Sequence, residues 1–342
     1  MSSQKVLVTG ASGFIAKHVI AELVRQGYEV RGTIRNFARE QEVLRGIASA
    51  GAPLDNVKLV PADLISDDNW DDAIAGCTFV VHVASPFPIR PVKHVDELVQ
   101  PAREGTLRVL KAATKAGVKR VVQTSSIVAI TTPWPEAERG HVFDETDWTN
   151  PKRPDISPYT ISKTLAERAA WDYVTSTPGA PELATINPAF VLGPAPDTDL
   201  STSVEVIRLI GTGAYPLAPK IAFPVSDVRD VAATHALAMI TPGAAGQRFI
   251  TANGFVRLID VAAMVAKALP DLSKKVPRGE MPDFLVRLLA IFDNRLRAVL
   301  PDLGFPRQVS NTKAREILGQ KFRSPQEAVT AAASSLRALK VI

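Results

Sequence analysis

Apolar and polar positions along the first half of the chain follow two different periods. Short apolar runs stop at glycine or polar residues, and between these runs apolar residues recur every three or four positions. The short runs predict buried strands, and the longer period predicts amphipathic helices. The predicted strands are residues 6–8, 28–35, 57–60, 79–84 and 120–127, and the predicted helices are 14–26, 38–50 and 92–116.

This alternation of strands and helices determines the predicted fold class. Five βα units in succession favour an α/β protein with a Rossmann-type doubly wound parallel sheet. Further along, the pattern predicts helices at 158–176 and 230–239, strands at 182–186, 221–225 and 248–251, and mainly helices afterwards. We therefore predict a nucleotide-binding domain of residues 1–190 plus about 221–252, and a smaller, mostly helical C-terminal substrate lobe of about 191–220 plus 253–342.

Two segments depart from this rhythm. Residues 130–157 contain four prolines and no clear periodicity, and a loop of this length in a compact domain is usually functional. Residues 281–300 form one amphipathic helical pattern, which we expect to pack on the protein itself rather than on a membrane surface. Both segments are candidates for walls of a substrate pocket.

Composition and charge exclude several functional classes. The 342 residues carry 40 basic and 35 acidic side chains scattered along the chain, so we expect no nucleic-acid partner. Cys77 is the single cysteine, the five histidines have no metal-ligand spacing, and His82 lies in an apolar strand, so we expect no disulfide and no metal. No long apolar run or signal core is present, which predicts a cytoplasmic protein with no membrane contact. We expect a monomer or a homodimer.

The turn between the first strand and the first helix is the first candidate for chemistry. It contains Gly10, Gly13 and Ala16, spaced Gly-x-x-Gly-x-x-Ala. Gly10 suits a tight turn, Gly13 lets the backbone approach a ligand closely, and Ala16 allows close packing of helix on strand. Because the helix N-terminus presents free N–H groups and a positive dipole, the turn predicts a site for a dinucleotide pyrophosphate.

Tyr159 and Lys163 form the second candidate. They lie four residues apart, which places a phenol and an ammonium on one helical face. A nearby cation lowers a tyrosine pKa, so we expect this pair to exchange a proton near neutral pH. Thr124, Ser125 and Ser126 end the fifth strand at the sheet edge where ligands bind, and a hydroxyl there could hold a substrate oxygen.

Taken together, these motifs resemble the extended short-chain dehydrogenase/reductases, and in detail the group of dihydroflavonol reductases, cinnamoyl-CoA reductases and yeast-type carbonyl (aldehyde) reductases. The resemblance covers about two thirds of the chain in the family's order. The matching segments are residues 9–16, 30–35, 82–86, 124–126, 159–163, 187–188 and 228–232.

The resemblance implies a role for each matching position. Ser126 rather than Ser125 corresponds to the catalytic serine, Tyr159 to the general acid, and Lys163 to the residue that binds the nicotinamide ribose and tunes the tyrosine. Pro188 is expected beside the nicotinamide. The cofactor-binding positions implied are Gly10, Ser12, Gly13, Phe14, Ile15, Arg35, Asp63, Leu64, Ala84, Ser85, Tyr159, Lys163 and Pro188. Glu104 departs from the family, because many members have asparagine there.

The residues at the end of the second strand indicate which cofactor is bound, NAD(H) or NADP(H). NAD-binding proteins of this kind usually place a carboxylate there, whereas this strand ends in Arg35, with Arg39 close behind. A charge-assisted hydrogen bond contributes about 1.5–3 kcal/mol, enough for a preference of roughly ten- to a hundredfold. We therefore expect NADP(H) with Arg35 on its 2′-phosphate, while the part played by Arg39 stays open.

Three hypotheses for function follow. The first is an oxidoreductase that reduces an aldehyde or ketone with NADPH, reversibly, with Tyr159 as the general acid. The second is a nucleotide-sugar epimerase or dehydratase of the same fold, although Ala16 and Arg35 are less typical of such enzymes. The third is a protein that senses NADP without turnover, although such proteins commonly lose the tyrosine–lysine pair. A small-molecule carbonyl compound is the expected partner of the first.

Overall fold

The computed structural model describes residues 4–86, 94–131, 140–153, 156–304 and 307–342. Within these ranges the strands are β1 (Lys5–Val8), β2 (Glu29–Ile34), β3 (Val57–Pro61), β4 (Phe79–His82), β5 (Arg120–Thr124), β6 (Val142–Phe143), β7 (Glu182–Asn187), β8 (Phe190–Leu192), β9 (Ala218–Pro219), β10 (Ala222–Asp227), β11 (Gln247–Ile250), β12 (Phe255–Arg257), β13 (Glu280–Met281) and β14 (Gln308–Val309). The helices are α1 (Phe14–Arg25), α2 (Glu40–Ser49), α3 (Trp70–Ile74), α4 (Asp96–Lys115), α5 (Pro158–Ser176), α6 (Thr202–Thr212), α7 (Val228–Ile240), α8 (Leu258–Ala268), α9 (Asp283–Leu289), α10 (Asn294–Val299), α11 (Thr312–Leu318) and α12 (Pro325–Ala338).

A seven-stranded parallel sheet forms the centre of the molecule. Its strand order is β11-β7-β5-β4-β1-β2-β3, so the chain moves outward from β1 first in one direction and then in the other. Successive residues of β1 face opposite sides, with Val6 and Val8 in the core under α1 and α7 and Leu7 in the core under α4 and α5. The predicted doubly wound α/β fold is confirmed.

A second unit is built around a three-stranded sheet of β8, β10 and β12. Strand β10 pairs parallel with β8 and antiparallel with β12, although the sequence had placed it in the nucleotide-binding domain. Helices α6, α8 and α12 pack their apolar faces on this sheet. The division into two domains otherwise stays a prediction.

Two ion pairs join the segment after β8 to the helices of the large sheet. Lys17 of α1, whose side chain is almost fully buried, donates to Asp197 at 2.5 Å. The room for this pair comes from Gly46 of α2, because a Cβ at that position would lie 2.4 Å from the Asp197 carboxylate. Arg39 donates to Asp199 at 2.9 Å, and both side chains of this second pair are about half exposed.

Several predicted boundaries differ from the structure. Strand β5 ends at Thr124 and β4 at His82, so the residues expected at their ends lie in the following loops. The helix predicted from residue 92 begins at Asp96, and residues 92–93 lie outside the described ranges, as do 132–139 and 154–155 of the predicted loop. Helices α3 and α6 were not predicted.

The single helix predicted over 281–300 is wrong, because the structure has two short helices there. Helix α9 ends at Leu289, and the Asp293 side chain caps α10 by accepting a hydrogen bond from the Arg295 amide at 2.8 Å. Val286 and Ala290 are buried, and Val286 belongs to an apolar cluster with Ile221 and Phe223. The opposite face is apolar and exposed, and consists of Phe284, Leu288, Ile291 and Phe292.

Candidate active site

The carboxyl ends of the parallel strands meet at one edge of the large sheet. Because all its strands run in the same direction, the loops that follow them leave from the same edge. Every strand-end residue predicted for the site lies in one of these loops or directly beside it: Gly10, Arg35, Asp63, Ala84, Ser126 and Pro188. The structure therefore gathers the predicted positions at one edge.

The turn after β1 lies directly against the loop after β4. Gly10 has a φ of +71°, and a Cβ on it would lie 3.0 Å from the Ala84 Cβ. The Thr9 hydroxyl accepts a hydrogen bond from the Ala84 amide at 3.0 Å and is also bonded to His82 Nδ1 at 2.9 Å. Both conformation and space thus require glycine at position 10.

Helix α1 begins with amide groups free for a ligand. Gly13 is its N-cap residue, has extended backbone and offers no capping side chain. The amides in the first turn of a helix have no partner within the helix, so those of Phe14 and Ile15 are available to an anion. Ser12, immediately before, is half-buried. The turn fits the pyrophosphate predicted for it.

Ser126, Tyr159 and Lys163 come together beyond β5. Helix α5 begins as predicted, with Pro158 in its first turn and the Ser157 hydroxyl accepting from the Thr160 amide at 3.1 Å. The Tyr159 hydroxyl is hydrogen-bonded to Ser126. The Lys163 ammonium lies 6.0 Å from the centre of the Tyr159 ring.

The predicted lowering of the Tyr159 pKa towards neutral pH is wrong for the protein on its own, because another effect outweighs that of Lys163. Burial raises the pKa of Tyr159 above its ordinary value, although the hydrogen bond with Ser126 acts in the opposite direction. Burial also lowers the pKa of Lys163 to about 8, because its ammonium is removed from water. Tyr159 therefore keeps its proton at neutral pH.

The buried ammonium of Lys163 has no hydrogen-bond acceptor among the residues that the structure describes. Its side chain is buried, yet no residue in the described ranges accepts a hydrogen bond from the ammonium. His82, on the neighbouring strand β4, is fully buried with a pKa of about 3 and is neutral. A ligand with hydroxyl oxygens, such as the diol of a ribose, fits this buried donor.

The two arginines after β2 differ in their surroundings. Arg35 is exposed, and among the residues that the structure describes none forms a hydrogen bond or ion pair with it. Arg39 is bound by Glu42 through two hydrogen bonds, of 2.5 and 3.0 Å, and by Asp199 at 2.9 Å. Arg35 is thus the unpaired cation at this strand end.

The remaining predicted positions have partners in the loops themselves. The Asp63 carboxylate accepts from the Ile65 amide at 3.2 Å, and Leu64 packs so closely on Gly105 that a Cβ there would lie 2.9 Å away. The Pro188 carbonyl accepts from the Ile127 amide at 2.8 Å, which joins the loops after β7 and β5. Ser85 is half-buried beside Ala84.

Glu104, the position that departs from the family pattern, lies on the outer side of helix α4. Its carboxylate forms an ion pair with the neighbouring Arg103 at 2.8 Å, and both side chains are about half exposed. The charge of Glu104 is therefore paired with that of Arg103 at the surface. Gly105, the next residue, contacts Leu64.

Two charged residues beneath this site were not predicted from the sequence. Glu167 and Arg248 form an ion pair at 2.7 Å in which neither side chain is appreciably exposed. Glu167 follows Lys163 by one helical turn, and this spacing was the available signal. Arg248 lies in the predicted last strand, where nothing in the pattern pointed to a partner.

Metal ions and membranes were expected to play no part. In the part of the chain that the structure describes, no group of three or more histidine, cysteine or carboxylate side chains could hold a metal ion. No described helix has both the length and the apolar character needed to cross a bilayer. His82, expected to be a satisfied core residue, has its partner in Thr9.

Comparison with known proteins identifies the family. Residues 6–248 match the NAD dependent epimerase/dehydratase family. The chain belongs to this family. Among similar proteins, a ketoreductase of Aspergillus niger is 34% identical over 98% of both chains, and a cinnamoyl-CoA reductase of Petunia hybrida is 36% identical over 79% of both.

Solved structures of reductases are similar to this chain over nearly its whole length. A yeast methylglyoxal/isovaleraldehyde reductase complexed with NADPH is similar over 99% of this chain and 100% of its own, with a TM-score of 0.81 and 26% identity. A Candida albicans relative, also solved with NADPH, has a TM-score of 0.79 and 28% identity over 98% of this chain. The predicted resemblance to extended short-chain dehydrogenase/reductases and the predicted oxidoreductase class are confirmed.

We expect Gly10→Ala to weaken NADPH binding at least about tenfold, because the new methyl group would collide with Ala84 in addition to straining the turn. Gly27→Ala is the matched control: Gly27 has a φ of +88° but no atom within 4 Å of its Cβ position. Titration of protein fluorescence with NADPH measures both. Equal loss of binding in the two variants would contradict a cofactor role for the Gly10 turn.

Proposed function

We propose that the chain is an NADPH-dependent reductase that converts an aldehyde or ketone to an alcohol, reversibly. The observation that carries the proposal is the hydrogen bond between Ser126 and Tyr159, with Lys163 on the same helical face, at the sheet edge where the Gly10 turn lies. The named reductases among its relatives support the same class of reaction.

The residues at this edge fit NADPH. The Gly10 turn and the first amides of α1 suit the pyrophosphate, the Lys163 ammonium suits the nicotinamide ribose, and Arg35 suits the 2′-phosphate. The NADPH-bound neighbours agree with the predicted cofactor. NADPH, when bound, supplies the hydride that reaches the carbonyl carbon.

The side chains of this chain supply the proton and orient the substrate. Tyr159 keeps its proton at neutral pH, as a general acid in the reducing direction must, and donates it to the carbonyl oxygen as negative charge develops there. The Ser126 hydroxyl, already bonded to Tyr159, holds the same oxygen. The Lys163 ammonium stabilises the tyrosinate that proton donation leaves behind.

The substrate side of the proposed site is partly aromatic. Phe190, two residues after Pro188, packs on Phe223 of β10 with ring centres 4.2 Å apart. Phe223 also contacts the apolar cluster that includes Val286 of α9. This cluster therefore connects the two aromatic rings with residues 281–300, the segment expected to form a wall of the substrate pocket. We infer a carbonyl compound with an apolar or aromatic substituent.

The alternatives give different results in a first assay. Purified protein is mixed with NADPH and a panel of aromatic aldehydes, α-keto esters, diketones and a dihydroflavonol, with NADH in parallel, and loss of cofactor absorbance is followed. Turnover that prefers NADPH supports the proposal. Cofactor retained through purification without turnover of any panel member contradicts it and favours a nucleotide-sugar epimerase or a sensing protein.

For Tyr159→Phe we expect kcat to fall about 10²- to 10⁴-fold, because the general acid is lost, while the Kd for NADPH changes by less than about threefold. The matched control is Tyr173→Phe on the same helix, whose hydroxyl bonds Thr114 at 3.0 Å far from the site. Steady-state kinetics and fluorescence titration give the two quantities. Retained turnover in Tyr159→Phe would exclude Tyr159 as the acid.

For Arg35→Ala we expect the KM for NADPH to rise about ten- to a hundredfold and the KM for NADH to stay nearly constant, because the exposed guanidinium has no competing protein partner in the described ranges. Arg45→Ala, on the exposed face of α2, is the control. The KM values of both cofactors are compared at one substrate concentration. Equal rises for the two cofactors would remove Arg35 from the phosphate site.

A further inference from the structure

Glu167 is a buried carboxylate beneath the proposed active site. It lies on α5 one turn after Lys163, and its side chain is fully buried. Strands β7 and β11, helix α5 itself and the loop after β5 contribute donors to it. These donors are the Ser125 hydroxyl, the Thr185 hydroxyl at 2.9 Å, the Asn187 amide at 2.9 Å, the Arg248 Nε at 2.7 Å and the Trp171 Nε1 at 3.4 Å.

This carboxylate is held in its charged form. Burial by itself raises the pKa of a carboxyl, but the charge of Arg248 and the hydrogen bonds from Ser125 and Asn187 outweigh it, so the pKa of Glu167 is lowered. A carboxylate with this many donors remains ionised throughout the neutral range. The site therefore has a fixed negative charge below it.

The negative charge of Glu167 affects the pKa of Lys163. The two side chains lie on one helical face, and the charge of Glu167 raises the pKa of Lys163 against the larger, opposing effect of burial. The other titratable or charged groups around Lys163 in the described residues are Tyr159 on its own helix, His82 of β4 and, behind Glu167, Arg248 of β11. None of these three groups favours the ammonium, whereas Glu167 does.

Glu167 also fixes the backbone of the proposed catalytic serine. The Asn187 amide nitrogen donates one hydrogen bond to Glu167 and one to the Ser126 carbonyl at 3.2 Å. Ser125, the neighbour of Ser126, donates its hydroxyl to the same carboxylate. The position of Ser126 therefore depends on Glu167 from two sides.

Arg248, the partner of Glu167, also holds the segment that precedes α5. The Arg248 Nη1 donates to the carbonyls of Glu145 at 2.9 Å and Asp147 at 2.7 Å, and its guanidinium lies 3.7 Å from the centre of the Trp148 ring. This segment precedes Tyr159 in the chain. Arg248 therefore connects the buried ion pair to the segment that borders the proposed active site.

We propose that Glu167 is a positioning residue of this active site, which fixes Ser126 through Asn187 and Ser125 and places a negative charge one helical turn from Lys163. The inference rests on the proposed function, because it assigns Glu167 a part in the reaction of Ser126, Tyr159 and Lys163. A purely structural carboxylate at this place would hold the fold together without affecting the titration of Lys163.

The test is the titration of Lys163 in the cofactor-free protein. Trace acetylation with acetic anhydride between about pH 6 and 11, followed by mass spectrometry of the Lys163 peptide, gives the midpoint at which the amine becomes reactive. We expect Glu167→Gln to move this midpoint about one pH unit lower, because a nearby negative charge is lost. The alkaline limb of kcat/KM should move in the same direction.

Two matched variants separate charge from packing. Glu167→Asp keeps the charge and shortens the side chain, so the Lys163 midpoint should stay near its parent value while kcat falls about three- to tenfold from displacement of Ser126. Glu182→Gln is the same chemical change on β7, in a glutamate that pairs with Arg120 and not with the site. It should change neither quantity.

A variant that cannot fold does not end the test. Glu167→Gln leaves Arg248 buried without its counter-charge, so the double variant Glu167→Gln with Arg248→Met removes both charges and is expected to fold more readily. Its Lys163 midpoint should also lie below that of the parent. An unchanged midpoint in the folded single or double variant would overturn the proposal.

Failure of this proposal and failure of the proposed function have different signatures. Acetylation needs neither NADPH nor turnover, so a shifted midpoint in a protein that reduces none of the panel would refute the reductase assignment alone. Reductase activity in the parent together with an unshifted midpoint in the folded single or double variant would refute the role of Glu167 alone.

Discussion

The parallel direction of seven neighbouring strands is the constraint on which the rest of the molecule depends. It sends every following loop to one edge, and residues as far apart in the chain as Gly10, Ser126 and Pro188 become neighbours there. The main-chain hydrogen bonds between the strands set this arrangement. The polar groups at the edge then refine it, as the Thr9 hydroxyl does between the loops after β1 and β4.

The buried charges below that edge are a second consequence of the same geometry. Strands β7 and β11 lie side by side, so Arg248 reaches Glu167, while Asn187 at the end of β7 reaches Ser126. An ion pair taken out of water is costly unless its remaining polar atoms are satisfied. Four further donors on the carboxylate largely meet that condition here, which explains how a charged pair can lie under the reacting groups.

The sequence was sufficient for the fold class and for most strand positions, because β-branched runs bounded by glycine are buried strands wherever a parallel sheet is covered on both faces. It was also sufficient for the cap at Ser157, whose hydroxyl bonds within its own turn. It failed where the outcome depends on partners distant in the chain. The break at Asp293 and the membership of β10 in a second sheet depend on such contacts, and so does the protonation of Tyr159, which burial controls more strongly than Lys163 does.

The ion pairs of Asp197 and Asp199 differ in how they respond to salt. Both acidic residues belong to one short segment after β8, yet Lys17 is almost fully buried in its pair, whereas both partners of the Arg39 pair are in contact with solvent. Salt screens exposed charges and leaves buried ones nearly unaffected. Rising ionic strength therefore weakens the Arg39–Asp199 pair and leaves the Lys17–Asp197 pair nearly unchanged, so in concentrated salt it is the buried pair that still holds this segment to α1.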